Sequence, residues 1–173
     1  MSVSLQSAVL SSFQQILPSV AGLIDKAEQH CKDEGIAAAD LTEARLADDM
    51  WHFAKQVFEC GHHSARAIEG VRAGVFSPEL HEVPTDFASL RKEIADARAI
   101  VDAVQLGELD AIADRDMKFV FGDRSMPFTV ADFLLTFSMP NFYFHATSAY
   151  AILRNKGVGL GKMDYLGKLR LKA

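Results

Sequence analysis

Glu59 and His63 are the two residues whose types and spacing first suggest chemistry. They belong to a polar stripe of four residues, His52, Gln56, Glu59 and His63, separated by four, three and four positions. At ~100° per residue, this spacing places the stripe along one line of a helix. A carboxylate and an imidazole at i and i+4 can converge on one cation or hydrogen-bond to each other. The same pattern is also typical of the polar boundary of an amphipathic helix, so the pair needs a third partner.

A second polar group lies near the C-terminus, in a segment that is otherwise apolar. Asn141, His145 and Ser148 share a helix face with Leu134, Phe137 and Ile152. A buried imidazole or amide needs a partner, because leaving it unpaired costs ~1 to 3 kcal/mol. We therefore predict an inter-helix cluster of Glu59, His63, Asn141 and His145 that binds a metal ion. The alternative is that His145 is a core histidine whose hydrogen bond to a carboxylate or carbonyl satisfies it.

The other histidines and the cysteines are weaker candidates. His62 is adjacent to His63 but is predicted to point about 100° away, and His30 and His81 lie at or beyond predicted helix ends. Cys60 lies on the apolar face of its helix and is predicted to be a small core residue. Only two cysteines are present, and they form no CxxC pair, so the chemistry is not that of a cysteine-type zinc site.

Four amphipathic segments must position these residues. The apolar spacing predicts an all-α protein, an up-down four-helix bundle with a short β-hairpin before the last helix. The expected helices cover 5–30, 40–70, 85–106 and 129–156, with the hairpin at 117–128 and a connection at 73–84. Helix two is expected to begin at a capping box formed by Asp40 and Glu43, and helix four at Thr129, three residues before Asp132. Either Thr85 or Asp86 is expected to cap helix three. The expected apolar face of helix two consists of Leu46, Met50, Phe53, Val57, Cys60 and Ile68.

Composition limits the class of protein. The chain has 173 residues, 49% of them hydrophobic, and a net charge of -5, which is typical of one globular domain, 1–173, without a nucleic-acid surface. The segment 133–153 lacks charged residues, but its polar residues favour a buried helix over a membrane span. We expect no membrane association, reduced thiols and a cytoplasmic location.

The C-terminal tail, 157–173, follows an acidic body. From Arg154 onward, six basic residues and one acid give a charge of +5, which leaves -10 for the first 153 residues. Such a tail is expected either to dock or to remain solvated. If it docks, it binds the acidic body of the same chain or that of a second copy.

Four segments of the sequence resemble a known family. They are DKAEQH (25–30), LTEARLADDM (41–50), KQVFECGHHSARA (55–67) and PNFYFHATSAYAILRNKGVGLGKMDYLG (140–167). These residues resemble the bacterial family called domain of unknown function 1993, which is similar to the DinB/YfiT-like superfamily. The resemblance implies a four-helix bundle, commonly a homodimer, with a divalent metal held by one histidine of helix two and an HxxxH pair of helix four.

The resemblance also assigns roles to particular residues. His145 matches the second histidine of the pair, the first falls on Asn141, and the helix-two position falls near Glu59, with His63 one turn further on. The substitution of an amide for an imidazole implies a weaker site for zinc or nickel. Characterised relatives are thiol-dependent transferases and a mycothiol-dependent isomerase, so the resemblance implies a metal-dependent enzyme of the thiol transferase or hydrolase type.

Two other functions remain open at this stage. In the first, the protein is a non-catalytic helical dimer, and the polar cluster is structural. In the second, it binds a small molecule against an aromatic wall, and an apolar pocket opens beside His145. The wall comprises Phe137, Phe142, Tyr143 and Phe144. Phe142, Tyr143 and Phe144 are consecutive and cover several faces of one helix, so they cannot all lie in one core. Helix four is therefore also a candidate dimer interface.

Overall fold

Helix α1 (Leu5–Glu34) provides the longest apolar surface of the fold. It begins where the Ser4 hydroxyl accepts a hydrogen bond from the N–H of Ser7, and it ends at Gly35, whose φ of +66° is readily adopted by glycine. The computed structural model describes residues 3–172. Within these residues, α1 is the one helix that is long and apolar enough to cross a membrane by length and composition. Half of its most apolar window is buried in the fold.

The second long helix begins later than predicted. A short helix, α2 (Ala39–Thr42), is followed by irregular chain, and α3 starts only at Phe53 (Phe53–Gly61). The predicted capping box is absent because the Asp40 carboxylate accepts a hydrogen bond from the Ala37 N–H, before the helix. Instead, the His52 ring caps α3, with Nδ1 accepting from the N–H of Lys55. Leu46, which is 41% exposed, and the half-buried Met50 lie outside the helix, so their assignment to its apolar face was wrong.

A π-helical turn, His62–Arg66, continues α3 into α4 (Ala67–Ala73), so the stretch ends three residues beyond the predicted Gly70. Chain 73–84 is largely a connection, as predicted, but it also contains the two-residue strand β1 (Val75–Phe76). The strand was missed because two residues are too few for an alternating pattern to show. Helix α5 (Phe87–Asp102) begins at the predicted cap, Asp86. It ends four residues before the predicted Leu106, which is fully exposed in the connection to α6 (Glu108–Ala111).

The predicted hairpin is present and belongs to a three-stranded sheet. Strands β2 (Asp116–Phe121) and β3 (Arg124–Thr129) pair antiparallel, with Asp116 opposite Thr129, and β1 pairs parallel with β2. Thr129 then caps α7 (Val130–Asp132), as predicted, and a π-helical turn, Phe133–Ser138, leads into α8 (Met139–Asn155). Pro140 has no N–H to donate to the carbonyl four residues earlier, which accounts for the departure from α-helical geometry just before it.

The helices enclose a mainly apolar core. Helix α1 lies against α5 and α8, and α3 lies against the same two helices. Fully buried phenylalanines fill the space between them, including Phe13, Phe53, Phe133 and Phe142. Because α3 and α8 are in direct contact, the polar residues on their facing sides must meet inside the protein.

The C-terminal segment docks on the body of the protein. Val158 and Leu160 are buried, and α9 (Lys162–Leu166) packs against α1. The one acid of the segment, Asp164, forms an ion pair with Lys26, with Nζ and Oδ1 2.8 Å apart. The docking therefore uses apolar residues and an acid, while the basic side chains of the tail remain exposed. A groove of about 750 Å³ runs between α1 and this segment.

Candidate metal centre

Three side chains from two helical stretches converge inside the fold. Glu59 lies on α3, His63 in the π-helical turn that follows, and His145 on α8. One ligand atom of each lies within 4.8 Å of the others. All three residues are buried, with exposed fractions of 4%, 6% and 4%. The packing of α3 against α8 thus supplies the third partner that Glu59 and His63 lack on their own helix.

This set of groups suits a transition metal. Two imidazoles and one carboxylate form a common catalytic zinc site, in which a fourth position stays open. With metal–ligand distances of ~2.0–2.2 Å, tetrahedral ligand atoms lie about 3.5 Å apart. The observed separations of up to 4.8 Å therefore require side-chain adjustments on the order of 1 Å. The donor set fits a divalent cation after small rotations of the side chains.

Gln56 orients the ring of His145. The Gln56 Oε1 lies 2.7 Å from Nδ1 of His145, and the Gln56 amide nitrogen donates to the Trp51 carbonyl. The Trp51 indole also stacks on the imidazole, with ring centroids 5.6 Å apart. Since Gln56 Oε1 only accepts, Nδ1 carries the proton and Nε2 has the free lone pair. Such a bond behind an imidazole is typical of histidines that bind metals.

Glu59 has a competing cationic partner. The Lys55 Nζ lies 2.8 Å from Glu59 Oε1, whereas Glu59 Oε2 lies 3.7 Å from His63 Nε2. Burial raises the pKa of Glu59, and the hydrogen bond and charge of Lys55 oppose that rise. The Lys55 ammonium also donates to the Glu79 carbonyl at 3.0 Å. One carboxylate oxygen is therefore paired with Lys55, and the other faces the histidine.

Two neighbouring histidines have ring nitrogens without hydrogen-bond partners. Among the described residues, none forms a hydrogen bond of ordinary length and angle with Nδ1 of His63 or with either nitrogen of His62, although the Ser77 backbone lies near enough to His62 to act on its pKa. His62, predicted to point away, is 2% exposed and lines the same cavity as His63. The prediction assumed α-helical steps, but the π-helical turn begins at His62 and changes the angular spacing. Burial lowers the pKa of His62 and of His145 to about 4, and that of His63 further, so all three rings are neutral at pH 7.

Asn141 lies one turn before His145 and lines the same cavity. Its Nδ2 donates to the Phe137 carbonyl at 2.7 Å, which leaves Oδ1 as its free acceptor. The amide thereby bonds a carbonyl within the π-helical turn Phe133–Ser138. Asn141 is not one of the three residues whose ligand atoms cluster, and its role as a ligand stays a prediction.

A cavity of about 180 Å³ opens beside the three residues. Aromatic rings form much of its wall, and the chain after β1 forms one rim. The lining includes Trp51, Glu59, His62, His63, Phe76, Pro78, Glu79, Leu80, Phe119, Phe137, Asn141, Phe144 and His145. Of the predicted aromatic wall, Phe137 and Phe144 line the cavity, whereas Phe142 is fully buried in the core and Tyr143 packs against it.

Sequence reasoning missed several residues of the site. Gln56 was placed on the polar stripe but not recognised as the partner of His145, and Lys55 and Trp51 were not singled out as site residues. Lys55 lies four residues before Glu59, a spacing that could have revealed the ion pair. Cys60 is fully buried as predicted, and burial raises its thiol pKa. His52 does not belong to the polar stripe of the helix, because it precedes the first residue of α3.

Comparison with known proteins identifies the family of this chain. The family model for a domain of unknown function (DUF1993) matches residues 5–166. The chain belongs to the DUF1993 family. This DUF1993 chain is also similar to the crystal structure of a DinB family member from Shewanella denitrificans, with a TM-score of 0.81 and 26% sequence identity. The match covers 98% of this chain and 95% of that one. No curated protein matched the sequence.

The family membership and the DinB likeness were both predicted from the sequence, and both are confirmed. The fold is mainly helical, as expected for a DinB-like protein, with the added three-stranded sheet. Asn141 occupies the α8 position where the sequence resemblance implies the first histidine of an HxxxH pair, and the three clustered groups are one carboxylate and two imidazoles. The site is therefore a mixed oxygen and nitrogen cluster.

Proposed function

We propose that this DUF1993 protein binds one divalent cation through Glu59, His63 and His145 and is a metal-dependent enzyme. The observation that carries the proposal is the convergence of three buried ligand groups within 4.8 Å. Buried polar groups are costly unless they are paired, and a cation would take the free lone pair of Nε2 of His145 and that of one ring nitrogen of His63. The donor set favours zinc or nickel over magnesium or calcium, which prefer oxygen ligands.

The residues around the triad have separate roles in this proposal. Gln56 holds His145 with Nε2 available, and Lys55 fixes one oxygen of Glu59. Asn141, through its free Oδ1, is the candidate fourth protein ligand. When bound, the cation would act as a Lewis acid and lower the pKa of a water or thiol at an open position. The aromatic wall would exclude bulk water from that position.

The reaction class that we propose is thiol transfer or hydrolysis. DinB likeness supports this class, as does a site with one carboxylate and two neutral histidines. We further propose a single four-helix-bundle domain, up-down in topology, in a cytoplasmic bacterial protein. The exposed Phe144, on α8, supports a homodimer interface there, since 55% of this large apolar residue faces solvent.

Metal analysis tests the proposal directly. Protein is purified without chelator or metal-affinity tag, and its metal content is measured by mass spectrometry. We expect about one zinc or nickel ion per chain in the wild type and loss of it in Glu59→Gln, His63→Ala and His145→Ala. His81→Ala, which removes an exposed histidine outside the triad, is the matched control and should keep the metal. No metal in the wild type, and none after incubation with zinc or nickel, would contradict the proposal.

A second candidate function is small-molecule binding without catalysis, with the polar cluster serving a structural role. The aromatic cavity beside His145 favours it, as does the Lys55–Glu59 ion pair, which already neutralises the carboxylate. This function predicts ligand binding in protein that has been stripped of metal. It also predicts that His145→Ala lowers stability while the metal content stays at zero.

A further inference from the structure

The groove between α1 and the C-terminal segment is separate from the metal centre. It shares no lining residue with the cavity beside His145, and its volume of about 750 Å³ falls in the ~300–1,000 Å³ range of small-molecule sites. From Ser11 to Lys26, the face of α1 that lines the groove spans ~22 Å, at ~1.5 Å per residue. The groove is therefore long and large enough for an extended chain molecule.

Gly22 keeps the middle of the groove open. A Cβ added to Gly22 would meet no neighbouring atom within 4 Å, so no packing contact among the described residues requires a glycine there. Glycine in the interior of a helix is also less stable than alanine. One turn earlier on the same face of α1, the exposed Pro18 ring adds apolar surface to the groove. The helix thus forms a floor that a larger side chain in place of Gly22 would obstruct.

The opposite wall of the groove presents three large apolar side chains to solvent. Met163, Leu169 and Leu171 line the groove, and their exposed fractions are 58%, 42% and 82%. Apolar side chains that cluster on an exposed surface are typical of ligand-binding grooves and interaction sites. A bound alkyl chain would remove them from water, which is favourable in proportion to the apolar area covered.

Hydrogen bonds within the fold hold the two walls together and occupy polar groups of α1. Gln15 Nε2 donates to the Leu166 carbonyl at 2.9 Å, and Gln14 Nε2 donates to Asp102 at 3.0 Å. Lys26 is held in its ion pair with the C-terminal segment. A peptide would need hydrogen-bond partners for its backbone, and these side chains are already bonded, so the α1 wall favours an apolar chain over a peptide.

Two cations of the tail give the groove its charge. Lys168 and Arg170 line it, and both are exposed. Within residues 3–172, the ion pairs of the protein involve other lysines and arginines and leave these two without a carboxylate partner. A carboxylate can accept two parallel hydrogen bonds from a guanidinium and a further one from an ammonium. The groove therefore combines an apolar length with a positive charge, which is complementary to an anionic amphiphile.

We infer that this groove binds one free long-chain carboxylate, that is, a fatty acid. The alkyl chain lies along Pro18 and Gly22, covered by the leucines of the tail, and the carboxylate is bound by Lys168 and Arg170. The inference goes beyond the proposed function and does not depend on it, because no residue of the metal centre takes part.

Palmitate is the probe, and its binding to the full chain is measured by equilibrium dialysis below the concentration at which palmitate forms micelles. We expect saturable binding of one palmitate per chain, with the same affinity in the presence and absence of chelator. From laurate to palmitate, the affinity should rise about two- to fourfold for each added methylene, because each one covers more apolar surface.

Gly22→Leu tests the position of the chain. The new side chain has open space on the free protein, and leucine favours a helix more than glycine does, so the variant should be at least as stable as the wild type. Its palmitate affinity should fall by about tenfold or more, because the side chain occupies the place of the ligand. Gln29→Leu adds the same side chain to α1 outside the groove and should bind palmitate like the wild type.

A double variant, Lys168→Gln with Arg170→Gln, tests the position of the carboxylate. Its palmitate affinity should fall about three- to tenfold. The control removes the same charge from exposed residues that do not line the groove, Arg124→Gln with Lys156→Gln, and should change the affinity little.

Three results would overturn the inference. The first is the absence of saturable palmitate binding, or binding that Gly22→Leu leaves unchanged. The second is a dimer in light scattering that Gly22→Leu dissociates while palmitate does not bind, which would make the groove an interface between two copies. The third is binding to phosphatidylglycerol vesicles without binding of free palmitate, which would make the tail a membrane-surface contact. The metal content is measured separately, so none of these results decides the proposed function.

Discussion

Gln56 on α3 and His145 on α8 are joined by a 2.7 Å hydrogen bond between Oε1 and Nδ1. The two residues are 89 positions apart in sequence, and the bond crosses the interface between their helices. It fixes the tautomer of His145 and the direction of its ring, and it links the Trp51 carbonyl to the same network through the Gln56 amide. The stability of the core and the geometry of the candidate metal centre therefore depend on one side chain.

Replacement of Gln56 by methionine tests that dependence. Methionine keeps the length and volume of glutamine but leaves Nδ1 of His145 without an acceptor. We expect the free energy of unfolding to fall by about 1–3 kcal/mol and the zinc affinity to fall by about 10- to 100-fold. Urea denaturation and metal titration measure the two effects. Gln29→Met, which removes an exposed amide bonded to Asp33, is the control and should change neither quantity. Equal behaviour of both variants would show that the bond has no such role.

Replacement of Lys55 by methionine should separate stability from metal affinity. The ammonium is largely buried, so its removal leaves the Glu59 carboxylate without its charge partner, and metal-free protein should lose about 3 kcal/mol of stability. A bound divalent cation would replace the lost charge and no longer compete with Lys55, so metal affinity should rise. Thermal unfolding without zinc measures the loss of stability, and the added stabilisation by zinc measures the rise in metal affinity.

The control for this variant is Lys32→Met. Lys32 pairs with Glu28 at the same i,i+4 spacing, but on the exposed surface of α1. Its removal should cost less than about 1 kcal/mol and leave metal affinity unchanged. If Lys55→Met weakens zinc binding instead, Lys55 supports the cation site and does not compete with it.

The stability of the metal-free protein should fall as the pH is lowered from 6.5 towards 4. His62 and His145 have folded-state pKa values of about 4, below the ordinary 6.5, so in this window the unfolded chain binds more protons than the folded one. Each histidine lowers the free energy of unfolding by up to about 1.4 kcal/mol for each pH unit in this window. The raised pKa of Glu59 acts in the opposite direction, and its stabilising contribution is lost as the pH rises.

Urea denaturation at pH 7 and pH 5 in the presence of chelator measures this dependence. His62→Phe removes one of the three buried histidines whose pKa is lowered and should reduce the difference between the two pH values. His30→Phe should leave it unchanged. A stability that does not change between pH 7 and pH 5 would mean that these rings are protonated in the folded protein.

His62→Phe should also stabilise the free protein at pH 7. The substitution removes two buried nitrogens that make no hydrogen bond of ordinary length and angle within the described residues, and it keeps a ring in contact with Phe76. An increase of about 1 kcal/mol in the free energy of unfolding is expected. A loss of similar size would indicate that His62 already has a hydrogen-bond partner in the free protein, such as an ordered water.

Asn141→Ala distinguishes a fourth ligand from a helix-stabilising residue. The amide donates to the Phe137 carbonyl, so the variant should lose about 1 kcal/mol of stability in either case. If Oδ1 binds the cation, zinc affinity should also fall, while Asn141→Asp, with a charged oxygen donor in the same place, should bind zinc more tightly than the wild type. Unchanged affinity in both variants would restrict the site to Glu59, His63 and His145.

Local sequence signals, which act within a few residues, determined much of the secondary structure of this protein. The caps at Asp86 and Thr129, the hairpin and the i,i+4 pair of Glu59 and His63 were all readable, and family resemblance identified the DUF1993 class. The residues of α8 were placed on one face by their spacing. The start of α3 was missed although its cap is local, because a histidine ring, an uncommon capping group, accepts from the N–H three residues later.

Only the tertiary structure decided what these residues meet. The bond from Gln56 to His145, the burial of His62 and the position of β1 beside β2 all depend on contacts between distant segments. The π-helical turn at His62–Arg66 changed the direction of neighbouring side chains in a way that a fixed angle per residue does not predict. Sequence spacing defines one face of one helix, whereas a metal centre or a cavity exists only where two faces pack together.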